Sequence, residues 1–343
     1  MQIQQNLPLA PWTTLGIGGP AQFFVQAHSE DDLLEALAFA HTRVLPVFIL
    51  GGGSNLLVPD SGYPGLVIRI EIQGPVVRNE HGFRVPAGTP WDHFVTHICT
   101  LGLSGIECLA GIPGLVGGAP IQNIGAYGQE VAQTIASVRA YDRREREFVT
   151  LDRAACGFAY RESLFNTTAR GRYVVTEVGF TFDPAARPNL SYADLRSFFA
   201  NVDSTPTPLE VAETVKVIRH RKGMLLVDGE QDCRSAGSFF KNPIVPPETI
   251  ESIAATLHIP AESIPRYPAP NGRVKLPAAW LLEKAGFHKG YVLGQAGISS
   301  RHTLALINRG HATYADIVHL RELIVGIVLD RFAIALEQEP VEP

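Results

Sequence analysis

Gly111-Ile112-Pro113-Gly114-Leu115-Val116-Gly117-Gly118-Ala119-Pro120-Ile121-Gln122-Asn123-Ile124-Gly125-Ala126-Tyr127-Gly128 is the stretch whose reading decides the fold of this chain. Six glycines fall within these eighteen residues, and no helical period runs through them. The stretch cannot form a packed element alone. Two consecutive surface turns are one reading. Against it, apolar residues are interleaved throughout, whereas solvent loops are more polar. A buried glycine-rich loop leaves many backbone N–H groups in need of acceptors. A bound polyphosphate supplies them.

A second such segment lies upstream, at Leu50-Gly51-Gly52-Gly53-Ser54-Asn55. Three successive glycines cost backbone entropy, and suit a main chain that must turn sharply and come close to a ligand. Successive N–H groups in such a turn form a concave anion site, to which Ser54 and Asn55 add donors. The dinucleotide fingerprint of the Rossmann fold is a poor match. Its nearest approach, Gly16-Ile17-Gly18-Gly19-Pro20-Ala21, follows no evident strand and has a proline where a helix should begin.

The chain has 343 residues, enough for two or three packed units. A net charge of −5 disfavours a non-specific nucleic-acid binder. A local basic cluster can still hold an anionic substrate. Residues 1–7 lack the basic and apolar regions of a secretory signal, and no apolar run reaches membrane-spanning length. Cys99, Cys108, Cys156 and Cys233 show no CxxC spacing and read as reduced thiols of a cytoplasmic protein. The eleven histidines are scattered, so no metal site is expected.

Around the glycine segments, helices and strands alternate. Ser29 and Asp32 mark a helix start, followed by Leu33, Leu34, Leu37 and Ala38 at helical spacing. Residues 44–50 and 66–70 read as strands, 76–78 and 83–85 as a hairpin, and 92–103 as a helix stopping near Gly102. Strands follow at 138–142, 147–151 and 173–182, with breaks at 184–188 and 202–208. Thr207, Pro208 and Glu210 spell a helix N-terminus, and the basic run 219–222 before Gly223 suits its C-terminal dipole. Further helices are expected at 277–285, before Gly286, and at 314–331, after Thr313. The class is α+β.

The two glycine segments, together with Ala236-Gly237-Ser238-Phe239-Phe240-Lys241-Asn242-Pro243, resemble the UDP-N-acetylenolpyruvoylglucosamine reductases of peptidoglycan synthesis, in the family's order and over nearly the whole chain. The resemblance implies a two-part FAD-binding unit of the vanillyl-alcohol-oxidase-like (PCMH-type) fold plus a C-terminal α+β substrate-binding domain. The expected division is 1–70 and 71–205 for the two FAD-binding parts and 206–343 for the substrate domain. Some oxidases of that fold attach the flavin through histidine or cysteine. Neither glycine segment contains either, so non-covalent FAD is expected, with NADPH as co-substrate. Cofactor contacts are implied at Gly51, Gly52, Gly53, Ser54, Asn55, Gly111, Ile112, Pro113, Gly117, Gln122, Asn123, Gly125, Ala126 and Tyr127.

The family reaction delivers hydride to the vinyl carbon distal to a carboxylate, and charge develops on the neighbouring carbon. The resemblance assigns Ser238 as proton donor, Arg161 as the cation that steadies the enolate, and Glu339 as the C-terminal glutamate of the site. Glu337 and a frayed tail are alternatives to Glu339. An arginine suits the role because its planar fork pairs with a carboxylate. UDP-sugar contacts are implied at Tyr192, on the substrate-covering loop of the family's first structural class, and at Lys222, Lys241, Asn242, Tyr267, Lys275 and His302, where some relatives have glutamine. A monomer is expected, working on a small-molecule UDP-sugar without nucleic acid or membrane. Two other readings are another flavin oxidoreductase of this fold, such as a carbohydrate oxidase, and a non-redox UDP-sugar-binding protein.

Overall fold

A computed structural model describes residues 1–201 and 204–343, so the break expected at 202–208 begins outside the described residues. The chain forms two compact units. One comprises Met1–Leu7, Ala21–Gly53 and Tyr63–Arg221; the other comprises Pro8–Pro20, Ser54–Gly62 and Lys222–Pro343.

The first unit opens with β1 (Gln4–Pro8), β2 (Pro20–Ala27), α1 (Glu30–Thr42), β3 (Val47–Leu50) and β4 (Tyr63–Ile70), whose strands order as β1-β2-β4-β3. β2 and β3 both run parallel to β4, and α1 is the crossover that parallel neighbours require. The Ser29 side chain caps α1 by accepting from Asp32 N at 3.0 Å. Leu33, Ala36 and Ala40 form the buried stripe of α1. β3 starts at Val47, three residues later than the apolar run suggests. Val44 sits at φ +53° and is 90% exposed, at the turn that closes α1. A β-branched residue rarely takes that conformation, so the sequence gives no warning of it.

A five-stranded antiparallel sheet follows, built from β5 (Val77–Asn79), β6 (Gly82–Pro86), β9 (Ile135–Asp142), β10 (Glu147–Asp152) and β11 (Tyr173–Phe180), ordered β10-β9-β11-β6-β5. Between β6 and β9 lie α2 (Trp91–Thr100), the long glycine segment and the short hairpin of β7 (Gly125–Ala126) and β8 (Gln129–Glu130). Trp91, Phe94 and Phe180 fill the space between α2 and the sheet, and the Phe94 and Phe180 rings lie 4.7 Å apart. α3 (Ala193–Phe198) and α4 (Pro208–Arg221) complete the unit. Thr207 and Glu210 cap α4 reciprocally, as their spacing foretells. Val211, Ala212, Val215 and Ile218 of α4 belong to this unit's core.

The second unit has two three-stranded antiparallel sheets. One is β12 (Ile244–Val245), β14 (Val274–Lys275) and β13 (Tyr267–Pro268), with β14 in the centre. The other is β15 (Val292–Leu293), β16 (Ala296–Ile298) and β17 (Leu306–Asn308). α5 (Thr249–Leu257), α6 (Ala278–Lys284) and α7 (Tyr314–Phe332) pack with them. Ile317, Leu320, Ile324, Val328 and Phe332 make the buried stripe of α7, started by a Thr313–Asp316 capping box. Gly16 and Gly18 turn the chain ahead of β2 rather than after a strand, so that glycine cluster lacks the fingerprint's strand-to-helix setting.

Candidate active site

In the first unit, the two glycine segments meet backbone to backbone. A Cβ on Gly52 would lie 2.5 Å from Gly114 Cα, so the Gly114 backbone leaves no room for a side chain at Gly52. Gly53 and Gly111 take φ of +68° and +69°, the left-handed region that favours glycine. Gly117 is fixed by packing, since its Cβ would meet Ala87 Cβ at 2.6 Å. Gly51 is different. Its φ is ordinary and no protein atom lies within 4 Å of its would-be Cβ. Neither turn geometry nor protein packing requires glycine at that position, so the backbone there is open to close approach of a ligand. No acceptor for the N–H groups of Gly52, Gly53 and Gly114 occurs among the described residues. Gly53 is buried, and a buried N–H calls for a partner. These features fit the pyrophosphate of a dinucleotide cofactor.

The far end of the long segment is tied to a tight turn that carries Arg161. Asn123, 1% exposed, spends its side chain on the protein. Its Nδ2 donates to Ala159 O at 2.8 Å and Glu130 Oε2 at 3.0 Å, and its Oδ1 accepts from Ala132 N at 3.1 Å. Arg161 Nη2 donates to Gly125 O at 2.7 Å, and a Cβ on Gly125 would stand 2.9 Å from the same guanidinium. Asn123, Tyr127 and Arg161 all have positive φ, at 46°, 48° and 58°. Such strain gathers where geometry is functional. The Tyr127 and Tyr192 rings meet edge to face at 5.1 Å. Burial pushes the Tyr127 hydroxyl up to about 12, so it remains a neutral donor.

Residues not singled out from the sequence hold this loop in place. Asp92 Oδ1 accepts from Gly111 N at 2.7 Å, and Arg219 Nε donates to Gly111 O at 3.1 Å. The Gly111 residue is thus gripped at both its polar atoms. Lys216 pairs with Asp92 at 3.2 Å. Burial pulls the Arg219 guanidinium below its ordinary value. The basic run at the end of α4 suggests only a dipole partner. The i, i+4 series Val211, Val215, Arg219 would have placed Arg219 on the buried face.

In the second unit, Ser238 follows Gly237, which sits at φ +75° with no atom near its would-be Cβ. The conformation, not crowding, selects glycine there. Phe239 and Phe240 are buried and fix the serine's backbone; Phe239 N donates to Leu304 O at 2.8 Å. The C-terminal tail runs antiparallel beside them. Lys241 N donates to Glu337 O, and Glu339 N to Phe239 O, both at 2.9 Å. On its other side Val341 N donates to Asn55 O at 2.9 Å, and Asn55 Nδ2 to Glu339 O at 3.2 Å. Arg321 holds Gln338 and Glu342, each at 2.8 Å. The tail is therefore tied on both sides rather than frayed.

The substrate-assigned residues of this unit fall into small groups. Lys241 pairs with the exposed Glu337 carboxylate at 2.5 Å. Asn242 Oδ1 accepts from Ala278 N at 2.9 Å, which orients its carboxamide at the start of α6. Tyr267 and Lys275 are cross-strand neighbours. His302 Nδ1 accepts from Leu304 N at 3.0 Å, so its neutral ring carries the proton on Nε2. Lys222 follows the last residue of α4, and Gly223 at φ +64° turns the chain away.

The chain matches known proteins along its length. Residues 21–150 match the FAD binding domain model, and residues 229–342 match the C-terminal domain model of UDP-N-acetylenolpyruvoylglucosamine reductase. The reductase of Thermobifida fusca is 45% identical across 98% of this chain and 97% of its own length. The chain belongs to the UDP-N-acetylenolpyruvoylglucosamine reductase family. The reductase of Streptomyces avermitilis is 42% identical over 99% of this chain and 95% of its own length. Among solved structures, the reductase of Thermus caldophilus superposes with a TM-score of 0.68 at 27% identity, covering 100% of this chain and 99% of that one. The α+β class and the FAD-binding front part are those expected of the family.

Proposed function

We propose that this chain, an FAD-dependent oxidoreductase by family, reduces UDP-N-acetyl-3-O-(1-carboxyvinyl)-glucosamine to UDP-N-acetylmuramate in peptidoglycan synthesis, with NADPH as reductant. The observation that carries the proposal is the full-length kinship with reductases of this name, at 45% identity to one of them. FAD, when bound, supplies the hydride. Gly51, Gly52, Gly53, Gly111 and Gly117 line its phosphate cradle, with Ser54, Asn55, Ile112, Pro113, Gln122, Gly125, Ala126 and Tyr127 as further contacts. Asn123 shapes the loop from behind through its internal bonds.

Addition of hydride to the distal vinyl carbon leaves negative charge on the neighbouring carbon and its carboxylate. Arg161 holds that carboxylate. An oriented donor of this kind contributes a factor of about 10²–10³. Ser238 donates its hydroxyl proton to the carbanionic carbon, which closes the saturated lactyl ether. A positioned acid adds about 10²–10⁴. Glu339 assists this transfer. Tyr192, Lys222, Lys241, Asn242, Tyr267, Lys275 and His302 bind the UDP-sugar. His302 serves as an Nε2–H donor where some relatives use glutamine.

The same reading assigns 1–70 and 71–205 to FAD and 206–343 to the substrate. The two family models, matched at 21–150 and 229–342, support the order of the two roles, whereas the compact units group residues 8–20 and 54–62 with the second part and α4 with the first. It also has the enzyme working as a cytoplasmic monomer without nucleic acid. The net charge of −5 supports the last point. Among the described residues no helix is long and apolar enough to cross a membrane. The test is NADPH consumption by the purified protein. It should depend on the enolpyruvyl UDP-sugar and yield UDP-N-acetylmuramate in equal amount. Oxygen-dependent consumption indifferent to that sugar would instead favour an oxidase.

A further inference from the structure

We propose that Glu107 is a positioning residue that clasps the loop carrying Tyr192 to the end of the long glycine segment. The proposal rests on the assignment of Tyr192 to the UDP-sugar. Glu107 is a carboxylate with 0% exposure. Burying such a group is costly unless donors surround it. Three donors from three separate stretches converge on it. Oε2 accepts from Gly105 N at 2.6 Å. Oε1 accepts from Gln129 Nε2 at 2.7 Å and from Asn189 N at 2.8 Å. Bonds to an ionised acceptor are the strong ones.

Each partner is itself fixed. The Gln129 carboxamide is buried, and its Oε1 accepts from Cys108 N at 2.8 Å. Asn189 is held at its carbonyl too, where Cys108 Sγ donates at 3.3 Å. Burial first, and the Glu107 charge second, keep the Cys108 thiol protonated and able to donate. The Asn189 side chain continues the link, with Nδ2 donating to Gly128 O at 3.2 Å and Oδ1 accepting from Ser191 N at 2.9 Å. Upstream, Ala185 N and Ala186 N bond only to Asp183, so they anchor nothing beyond their own turn. Coming from Asp183, Asn189 is thus the first of these residues to tie the Tyr192 loop to another stretch, and Leu195 of α3 buries in the core on the far side of Tyr192.

The consequence is geometric. Gln129 lies two residues beyond Tyr127, and Asn189 lies three residues before Tyr192. One carboxylate therefore sets the spacing of two stems whose aromatic rings meet at 5.1 Å and 87°. An apolar residue would fill the same volume without fixing register. The buried charge is kept for the geometry that it dictates. Nothing in the proton transfer assigned to Ser238 calls for Glu107, so it acts through the loop and not on the reacting atoms.

The test uses the full-length, FAD-loaded protein and Glu107→Ala. The KM for the enolpyruvyl UDP-sugar should rise about tenfold or more, since of the three bonds lost the one to Asn189 N reaches the Tyr192 loop and a charge-assisted bond is worth at least that factor. NADPH should still bleach the flavin at the wild-type rate, and chymotrypsin should cut faster after Tyr192. Glu107→Gln should lie between, because its amide oxygen still accepts from Gln129 and Asn189. Equal loss of both half-reactions, or unchanged KM with unchanged cleavage, would overturn the clasp. Should Glu107→Ala not fold, hydrogen exchange on the wild type decides. The Asn189 amide should exchange far more slowly than that of Ala185, and equal exchange would overturn the proposal. Tyr192→Phe separates the two readings. If it leaves KM unchanged while Glu107→Ala still exposes the loop to chymotrypsin, the clasp stands and the assignment of Tyr192 falls.

Discussion

Glu339 donates its backbone N–H to the carbonyl of Phe239 at 2.9 Å, one residue from Ser238. Glu337 lies on the same ladder, and the two C-terminal glutamates differ in exposure. Glu337 stands opposite Lys241 and is engaged by its ammonium, with 69% of its side chain exposed. Glu339 is half-buried and bonded at both its N–H and its C=O. Glu339→Gln should slow substrate-driven reoxidation of the flavin by about 10²-fold or more, as loss of a positioned acid–base group does. Glu337→Gln should change that rate little, since an exposed ion pair is worth only about 0–1 kcal/mol. Anaerobic stopped-flow on both variants measures the difference.

Ser238→Ala should separate the half-reactions. Reduction by NADPH should proceed as in the wild type. Reoxidation by the enolpyruvyl UDP-sugar should slow by about 10²–10⁴, the contribution of a positioned acid. Equal slowing of both steps would remove Ser238 from the role.

What the sequence discloses here is mostly local. Ser29 with Asp32, Thr207 with Glu210 and Thr313 with Asp316 each cap a helix across three residues, and each pair does so in the fold. Tyr314–Phe332 begins directly after Thr313, where the sequence places its start. The glycine segments are legible because their composition excludes packing by themselves. Long-range ties are not legible. Nothing near Gly111 in sequence announces that Asp92 and Arg219 hold it, or that Glu107 reaches Asn189 across eighty-two positions. The tail's pairing with Phe239 and Asn55 is equally hidden, because short irregular ladders carry no two-residue hydrophobic period. Val44 misleads for the opposite reason: its side chain suits a strand while its backbone makes a turn.

Gly51 and Gly52 should respond differently to alanine. Gly51→Ala meets open space at an ordinary φ. In flavin-free protein it should be neutral or stabilising by about 0.4–1 kcal/mol, through the unfolded chain. Its FAD affinity should fall, because the methyl enters the cradle. Gly52→Ala would place a Cβ 2.5 Å from Gly114 Cα. It should lose about 1–3 kcal/mol in denaturant titration whether or not FAD is present. Equal affinity of Gly51→Ala and wild type for FAD would place the pyrophosphate elsewhere.

The cysteines should be silent in the native protein. Burial pushes Cys99 up to about 12 and Cys156 up to about 11, and raises Cys108 and Cys233 as well. A raised thiol pKa favours the neutral form, and only the thiolate reacts with disulfide reagents. Thiol titration at mildly alkaline pH should therefore count none of the four before unfolding and all four after. Rapid labelling of the folded protein would contradict the burial.

The central claim, FAD-mediated reduction of the enolpyruvyl ether, is tested most directly by a two-step anaerobic titration followed in the flavin absorbance. NADPH should bleach the yellow protein. The enolpyruvyl UDP-sugar should then restore the colour, with one UDP-N-acetylmuramate formed per flavin. A flavin that NADPH bleaches but that sugar leaves reduced would contradict the account, as would a protein that neither carries FAD nor takes it up.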